Sequence, residues 1–394
     1  MKKSYTNVLV GAAFLMATSA IGPGFLTQTT VFTDQLGASF GFAILISILL
    51  DIAAQLNIWR IVAIAEKRAQ DIANDLLPGL GYVLAILILF GGLAFNIGNI
   101  AGAGMGFNVL FGMDTITGAI LSCVLAIAVF VVREAGKVMD QFTKILGFLM
   151  IGLTLYVAWE SQPPIGLAIK ETFLPVKVDL KSILTIVGGT VGGYITFAGA
   201  HRLMDAGVKG KQHIGRVTQS AITAIGLASL MRILLFLAAL GVVFAGATLD
   251  KGNPTASVFK IASGLIGYKL FGIVLWSAAI TSVVGSAYTS VSFIQSFHPW
   301  FEQYHRQIII GFILISTGIF VSIGQPVKVL ILAGALNGLI LPVALTIMLI
   351  AANKPRIMGS YAHPRWLTLI GVLVVITMSY IGLQGMLTNF GSSK

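Results

Sequence analysis

Gly188-Gly-Thr-Val-Gly-Gly-Tyr-Ile-Thr196 lies in the middle of an apolar segment long enough to cross a membrane. Each glycine costs a helix interior roughly 1 kcal/mol relative to alanine. Lipid offers no hydrogen-bond partner to a freed backbone group, so non-helical backbone survives at that depth only where it is buried in protein or lines a wet cavity. A second such stretch, Gly22-Pro23-Gly24-Phe25-Leu26 followed by Thr27-Gln28-Thr29-Thr30, interrupts the first apolar segment. Two broken spans in corresponding positions of two halves point to the central site of an inverted-repeat transporter. Close packing through small residues is the plainer reading of the glycines, but it leaves the proline and the polar run unexplained.

Composition sets the frame. Of the 394 residues, 57% are hydrophobic and 10% charged, against about 25% charged in a soluble domain, so the chain reads as an all-α polytopic membrane protein. The single cysteine, Cys123, sits in an apolar run and can form neither an internal disulfide nor a thiolate metal site. A net charge of +11 raises the question of nucleic acid, but the basic residues are scattered between spans without a block, which fits membrane orientation better. Lys2-Lys3, the apolar run Val8 to Ala17 and the small residues Thr18-Ser19-Ala20 imitate a secretory signal. Apolar character resumes past Ala20, however, and cleavage there would discard half of a span.

With about 20 apolar residues per crossing, the hydropathy pattern predicts eleven spans, near 7–31, 40–63, 80–111, 115–132, 142–159, 182–204, 218–247, 266–296, 307–324, 327–351 and 366–387. Lys and Arg concentrate in the links on the side of Lys2 and Lys3. By the positive-inside rule this places the N-terminus in the cytoplasm and the C-terminus outside, in a cell membrane expected to be a bacterial inner membrane. The longest external link, Glu160 to Lys181, would join a first repeat over 7–160 to a second over 181–352, with the eleventh span appended in a single transporter domain. No Walker motif or soluble domain is available to couple ATP, so transport would run on a proton or sodium gradient. His-Glu-x-x-His and Gly-x-Ser-x-Gly are both absent, which argues against an intramembrane enzyme, and no cofactor is implied.

Charges in or near the spans are few: Asp34 after the first break, Asp51 in span two, Arg232 in span seven, and His201, Arg202 and Asp205 at the inner end of span six. Intramembrane charges are costly, which makes them coupling or gating residues by default. Asp51 and Arg232 are also suited to a structural pair, and His201 to Asp205 to an interfacial anchor. Around the breaks stand Thr27, Gln28, Thr29, Thr30, Gly192, Gly193, Tyr194 and Thr196, with hydroxyls from Thr281 to Ser292 in span eight as a possible opposite wall. Neither break contains a carboxylate, sulfur or imidazole, so the lining suits a small polar or carboxylate solute better than a dehydrated metal ion. The alternative is a hard divalent cation, Mn²⁺ or Mg²⁺, held by backbone carbonyls, Gln28 and Asp34.

Several stretches resemble the Nramp (natural resistance-associated macrophage protein) metal transporters. They are Gly22-Pro23-Gly24-Phe25-Leu26, Asn108-Val-Leu-Phe-Gly112, and Asn337-Gly-Leu-Ile-Leu-Pro342 through Asn353-Lys-Pro-Arg-Ile-Met-Gly359. The resemblance implies the leucine-transporter-like fold of the amino acid, polyamine and organocation superfamily: a 5+5 inverted repeat with spans 1 and 6 broken, working by alternating access. It also implies divalent metal as cargo. The family's Asp-Pro-Gly-Asn and Met-Pro-His metal motifs do not occur in this chain. Gly192, Gly193 and Tyr194 stand in place of the second, and Asn99 and Gly102 replace the acids of the family's proton route.

Overall fold

The structure, a computed structural model, describes residues 20–391. The signal-like stretch and the first part of the first span lie outside the described residues. All regular structure among those described is helical: α1 Pro23–Leu36, α2 Phe40–Ala65, α3 Ala69–Leu76, α4 Leu80–Phe111, α5 Thr115–Val131, α6 Arg133–Glu160, α7 Ile165–Phe173 and α8 Leu180–Val191. Then follow α9 Tyr194–Asp205, α10 Ile214–Phe244, α11 Pro254–Gln295, α12 Pro299–Gln303, α13 His305–Ile323, α14 Pro326–Ala352, α15 Pro355–Met358 and α16 Arg365–Gly391.

Helix ends follow local chemistry. The Asp114 carboxylate accepts the N–H groups of Ile116 and Thr117 to start α5, and Asp179 accepts that of Ser182 to start α8. Proline opens α11 and α14, where the missing N–H goes unneeded. Left-handed glycines, Gly112 and Gly324, end α4 and α13.

Each predicted span is helical over most of its described length, apart from interruptions at Ile21–Gly22 and Gly192–Gly193 and a few residues at span ends. By length and composition, eight stretches are able to cross a membrane among the described residues. Pro23–Ala65 counts there as one, and Ile145–Glu160 with Ile165–Phe173, bent by 106°, would be a ninth. The link from Glu160 to Lys181 is therefore not plain loop, because α7 lies within it behind Pro163-Pro164. The helix of span eight starts earlier than predicted, at Pro254, and kinks at Gly264.

At the centre α14 packs against α8, α4, α1 and α2, and α1 also touches α8, α10 and α11. A cross-section through the breaks is thus walled by α1, α2, α8, α10 and α14. Aromatic side chains fill the space around it, with Trp59, Phe25, Phe40, Phe197 and Phe293 all fully buried.

Candidate functional site

The first break falls at Ile21–Gly22, where helix is interrupted between Ala20 and Pro23. Thr27 to Thr30, expected in the break, lie instead inside α1 and are buried. Thr29 and Thr30 turn their hydroxyls back on their own helix, Thr29 Oγ1 donating to Phe25 O at 2.7 Å and Thr30 Oγ1 to Leu26 O at 3.1 Å. The second break falls where the sequence indicated. Gly192 ends α8 and Gly193, at φ 54° and ψ −127°, turns the chain into α9. That conformation is reserved for glycine, and a Cβ there would collide with Asn337 Oδ1.

The four glycines of the opening stretch divide into two pairs. Gly192 and Gly193 make the break. Gly188 lies against the Gly334 carbonyl and Gly338 of α14, and Gly189 against Gln28. These two serve close helix approach, which was the plainer reading of the sequence.

Gln28 is wholly buried and its Nε2 donates to Leu330 O at 2.8 Å, while Oε1 has no partner among the described residues. Asn337 sits opposite. Its Nδ2 donates to Gly91 O and Ala333 O, both at 2.9 Å, and its Oδ1 is left unpartnered against Gly193. Tyr194, the first residue of α9, is buried and packs edge-on against Phe95 at 5.5 Å. Ser286 Oγ donates to Asn96 Oδ1 at 3.0 Å. Thr196 Oγ1 is buried and unpartnered. Tyr288, counted with the hydroxyls of span eight, is half exposed and faces away.

Charge enters from α2 and α10. Asp51 and Arg232 are each about 2% exposed and interact electrostatically, while Thr190, in the last turn of α8, donates its hydroxyl to Ile186 O at 2.7 Å. No ion pair within 4 Å joins them among the described residues. Arg232 instead lies over the Phe25 ring, 4.1 Å from its centroid, with Nη1 donating to Ile186 O at 3.4 Å. Its Nε and Nη2 have no partner. Those two nitrogens form one edge of the guanidinium, the planar fork that grips a carboxylate with two parallel bonds. The fork sits beside the first turn of α1, whose N-terminal end has no side-chain cap.

The remaining predicted residues are placed elsewhere. Asp34 is exposed at the far end of α1, six residues beyond Gln28, or about 9 Å along the helix at 1.5 Å per residue. Gln28 and Asp34 therefore cannot share the first shell of one ion, whose ligands stand at about 2.0–2.6 Å. His201 is buried at the opposite end, between the Phe197 and Phe293 rings, and its Nε2 accepts the Ala69 N–H at 3.1 Å. Arg202 and Asp205 are exposed beyond it. Among the described residues no three His, Cys, Asp or Glu side chains group as metal ligands.

A sequence model described as natural resistance-associated macrophage protein-like matches residues 13–388. The chain belongs to the Nramp family. Among Nramp relatives, a Bacillus subtilis membrane protein, YcsG, described as uncharacterized, is 61% identical over 97% of this chain and 95% of its own length. The divalent metal cation transporter MntH of Pectobacterium carotovorum is 24% identical over 93% of this chain and 91% of its own. A manganese transporter of Eremococcus coleocola superposes with a TM-score of 0.74 at 16% identity, covering 99% of this chain and 89% of the other. MhsT in complex with L-phenylalanine gives 0.68 at 18%, covering 98% of both chains. The fold is thus the leucine-transporter-like Nramp fold of a bacterial-type membrane transporter.

Two contributors to this site were not read from the sequence, Asn337 and Phe25. Both act through contacts with helices distant in the chain, so the sequence showed them only as members of stretches that resemble the family and gave neither a role at the site.

Proposed function

We propose that this chain is a secondary transporter that moves a small polar solute bearing a carboxylate, by alternating access between the broken helices α1 and α8–α9. The observation that carries the reading is the unpartnered Nε–Nη2 edge of Arg232, buried beside the bare first turn of α1. A buried donor left unmade costs about 1–3 kcal/mol. A carboxylate satisfies both donors and also meets the positive end of the α1 dipole. Gln28 Oε1 and Asn337 Oδ1 then offer acceptors to the solute's own N–H or O–H groups. A divalent cation would instead face a fixed guanidinium and hydroxyl and amide ligands. One fold neighbour, MhsT, is described in complex with L-phenylalanine, a solute that bears a carboxylate.

In this reading Asp51 is the acid that bears a coupling proton or sits near sodium, and repeats 7–160 and 181–352 rock about the breaks. Orientation follows the positive-inside expectation, with the N-terminus in the cytoplasm and the C-terminus outside. No step calls for enzyme chemistry.

The second reading keeps divalent metal as the cargo, on the strength of relatives named as metal cation transporters. Thermal stabilisation of the purified protein separates the two, since a ligand held only by the folded state adds about 2.7 kcal/mol at a hundredfold excess over its Kd. The expected result is stabilisation by one or more of a panel of small carboxylates, lost in Arg232→Gln, with no response to Mn²⁺ or Mg²⁺. Stabilisation by Mn²⁺ that survives Arg232→Gln would overturn the proposal and restore metal.

A further inference from the structure

On the face where α1 ends and α14 begins, a cavity of about 830 Å³ opens between α1, α8, α14 and α16. Val31, Leu184 and Ile331 line it three or four residues, about one helical turn, from Gln28, Gly188 and Gly334, and Ala335 lines it directly beside Gly334. Lys181, Lys251 and Lys328 line its walls and are exposed. None of the three has an ion-pair partner among the described residues.

No acid lines the cavity. Asp179 is spent capping α8, Asp250 Oδ1 accepts the Gly252 N–H at 2.9 Å, and Asp34, although exposed, stands outside the lining. Lys181 and Lys328 each sit in the first turn of a helix, α8 and α14. The helix dipole penalises a cation in that position by about 0.3–1 kcal/mol, so neither lysine is there for helix stability. Instead, three ammonium groups and the uncapped N-terminal end of α14 face one opening, focused by low-dielectric walls, while the Asp179 carboxylate offsets the end of α8.

We propose that this vestibule is an anion-collecting antechamber, where a carboxylate-bearing solute is drawn in from water before it passes to the central site. The proposal rests on the carboxylate reading of that site. A free carboxylate and an anionic lipid headgroup share the chemistry that lysines recognise. The position directly above Gln28 favours the solute.

The test measures the field itself. In the full-length protein carrying Cys123→Ser and Ala335→Cys, in phosphatidylcholine vesicles, the introduced thiol is reacted with anionic, cationic and neutral methanethiosulfonate reagents. The neutral rate reports whether the cavity is intact. The anionic reagent is expected to react at least about tenfold faster than the cationic one, within the range that charge focusing supplies. The ratio should fall towards one in Lys181→Gln/Lys251→Gln/Lys328→Gln and with added salt. A ratio near one with the lysines intact would overturn the antechamber, as would protection of the thiol by phosphatidylglycerol, which would hand the lysines to lipid. Either failure leaves carboxylate stabilisation at the central site unaffected, so the two readings fall separately.

Discussion

The two faces of the molecule treat their charges in opposite ways. On the face with the vestibule, three lysines surround open space without partners among the described residues. On the other face, where α2 and α9 end, Lys67 lies 2.7 Å from Asp75, Lys209 3.1 Å from Glu66 and Arg68 3.5 Å from Asp205. Further bonds add to the stitching: Gly210 N–H donates to Ala63 O at 2.8 Å, Ala69 N–H to the His201 side-chain Nε2 at 3.1 Å, and Arg356 reaches the Asp75 carbonyl. One face is open and the other is sewn shut. The difference teaches which contacts keep it shut. Exposed pairs are worth about 0–1 kcal/mol each, so the buried bond to His201, held between two phenylalanines, carries more of the closure than the visible salt bridges.

The largest effect is expected where the two faces are joined. Gly193→Val forces a side chain into a conformation that costs a non-glycine residue about 1–3 kcal/mol and drives it into Asn337. Uptake by vesicles holding this variant should fall to background, with a lower melting temperature. Gly193→Ala combined with Asn337→Gly removes the collision but not the strain, and should recover part of the lost stability. Full activity in Gly193→Val would mean that the break is not the hinge between the faces.

Next in size is His201→Ala. It removes the acceptor of Ala69 and the ring between Phe197 and Phe293, a loss of about 3 kcal/mol by comparison with other buried truncations. Much of that falls on the closed form alone. A cysteine placed at Ser292, which is buried on the sewn face, should therefore react with thiol reagents about tenfold faster or more, by population shift. Vestibule accessibility at Ala335→Cys should not rise. Equal rates at Ser292→Cys with and without His201 would make the salt bridges, and not the histidine, the lock.

How much of this was legible in the chain depends on the distance of the partner. The break at Gly192-Gly193 was readable because glycine in an apolar span has few uses. The first break was set too far downstream because Thr27 to Thr30 looked polar, whereas Thr29 and Thr30 return their hydroxyl protons to the helix four residues back. Sequence does not say where a threonine sends its proton. Asp51 and Arg232 could be singled out because intramembrane charge is expensive. That Arg232 would stack on Phe25 and keep one edge free depended on how α1 crosses α10. Likewise, Gly188 is a packing glycine only because Gly334 and Gly338 of α14 lie against it, far away in sequence.

A smaller effect should come from Asp205→Ala. Its pair with Arg68 is long at 3.5 Å, and the Asp205 side chain is 52% exposed. Stability should drop by no more than about 1 kcal/mol, and the reactivity of Ser292→Cys should change less than in His201→Ala. The reverse order would reassign the closure to the charge pairs.

The smallest effect is one of pH, and it belongs to the sewn face. His363 precedes α16 and its Nε2 donates to Asn57 Oδ1 at 2.9 Å, while Asn57 Nδ2 donates to Leu367 O at 2.9 Å. Burial, with the Arg60 charge nearby, pushes the imidazole down from 6.5 to about 4. A group depressed on folding supports the fold in its neutral form, so this contribution is whole above pH 6.5 and is lost as pH falls from there through about 4. Asp71 on α3 runs the other way. Burial raises its carboxyl, although a bond from Ser296 opposes the shift, so its contribution is lost as pH rises through the raised value. The melting temperature of the parent should therefore fall between pH 6.5 and 4 more steeply than that of His363→Gln, which titrates nothing there. Parallel curves would mean that the link from α2 to α16 does not depend on the charge of His363, and that the sewn face has no acid-sensitive stitch at this position.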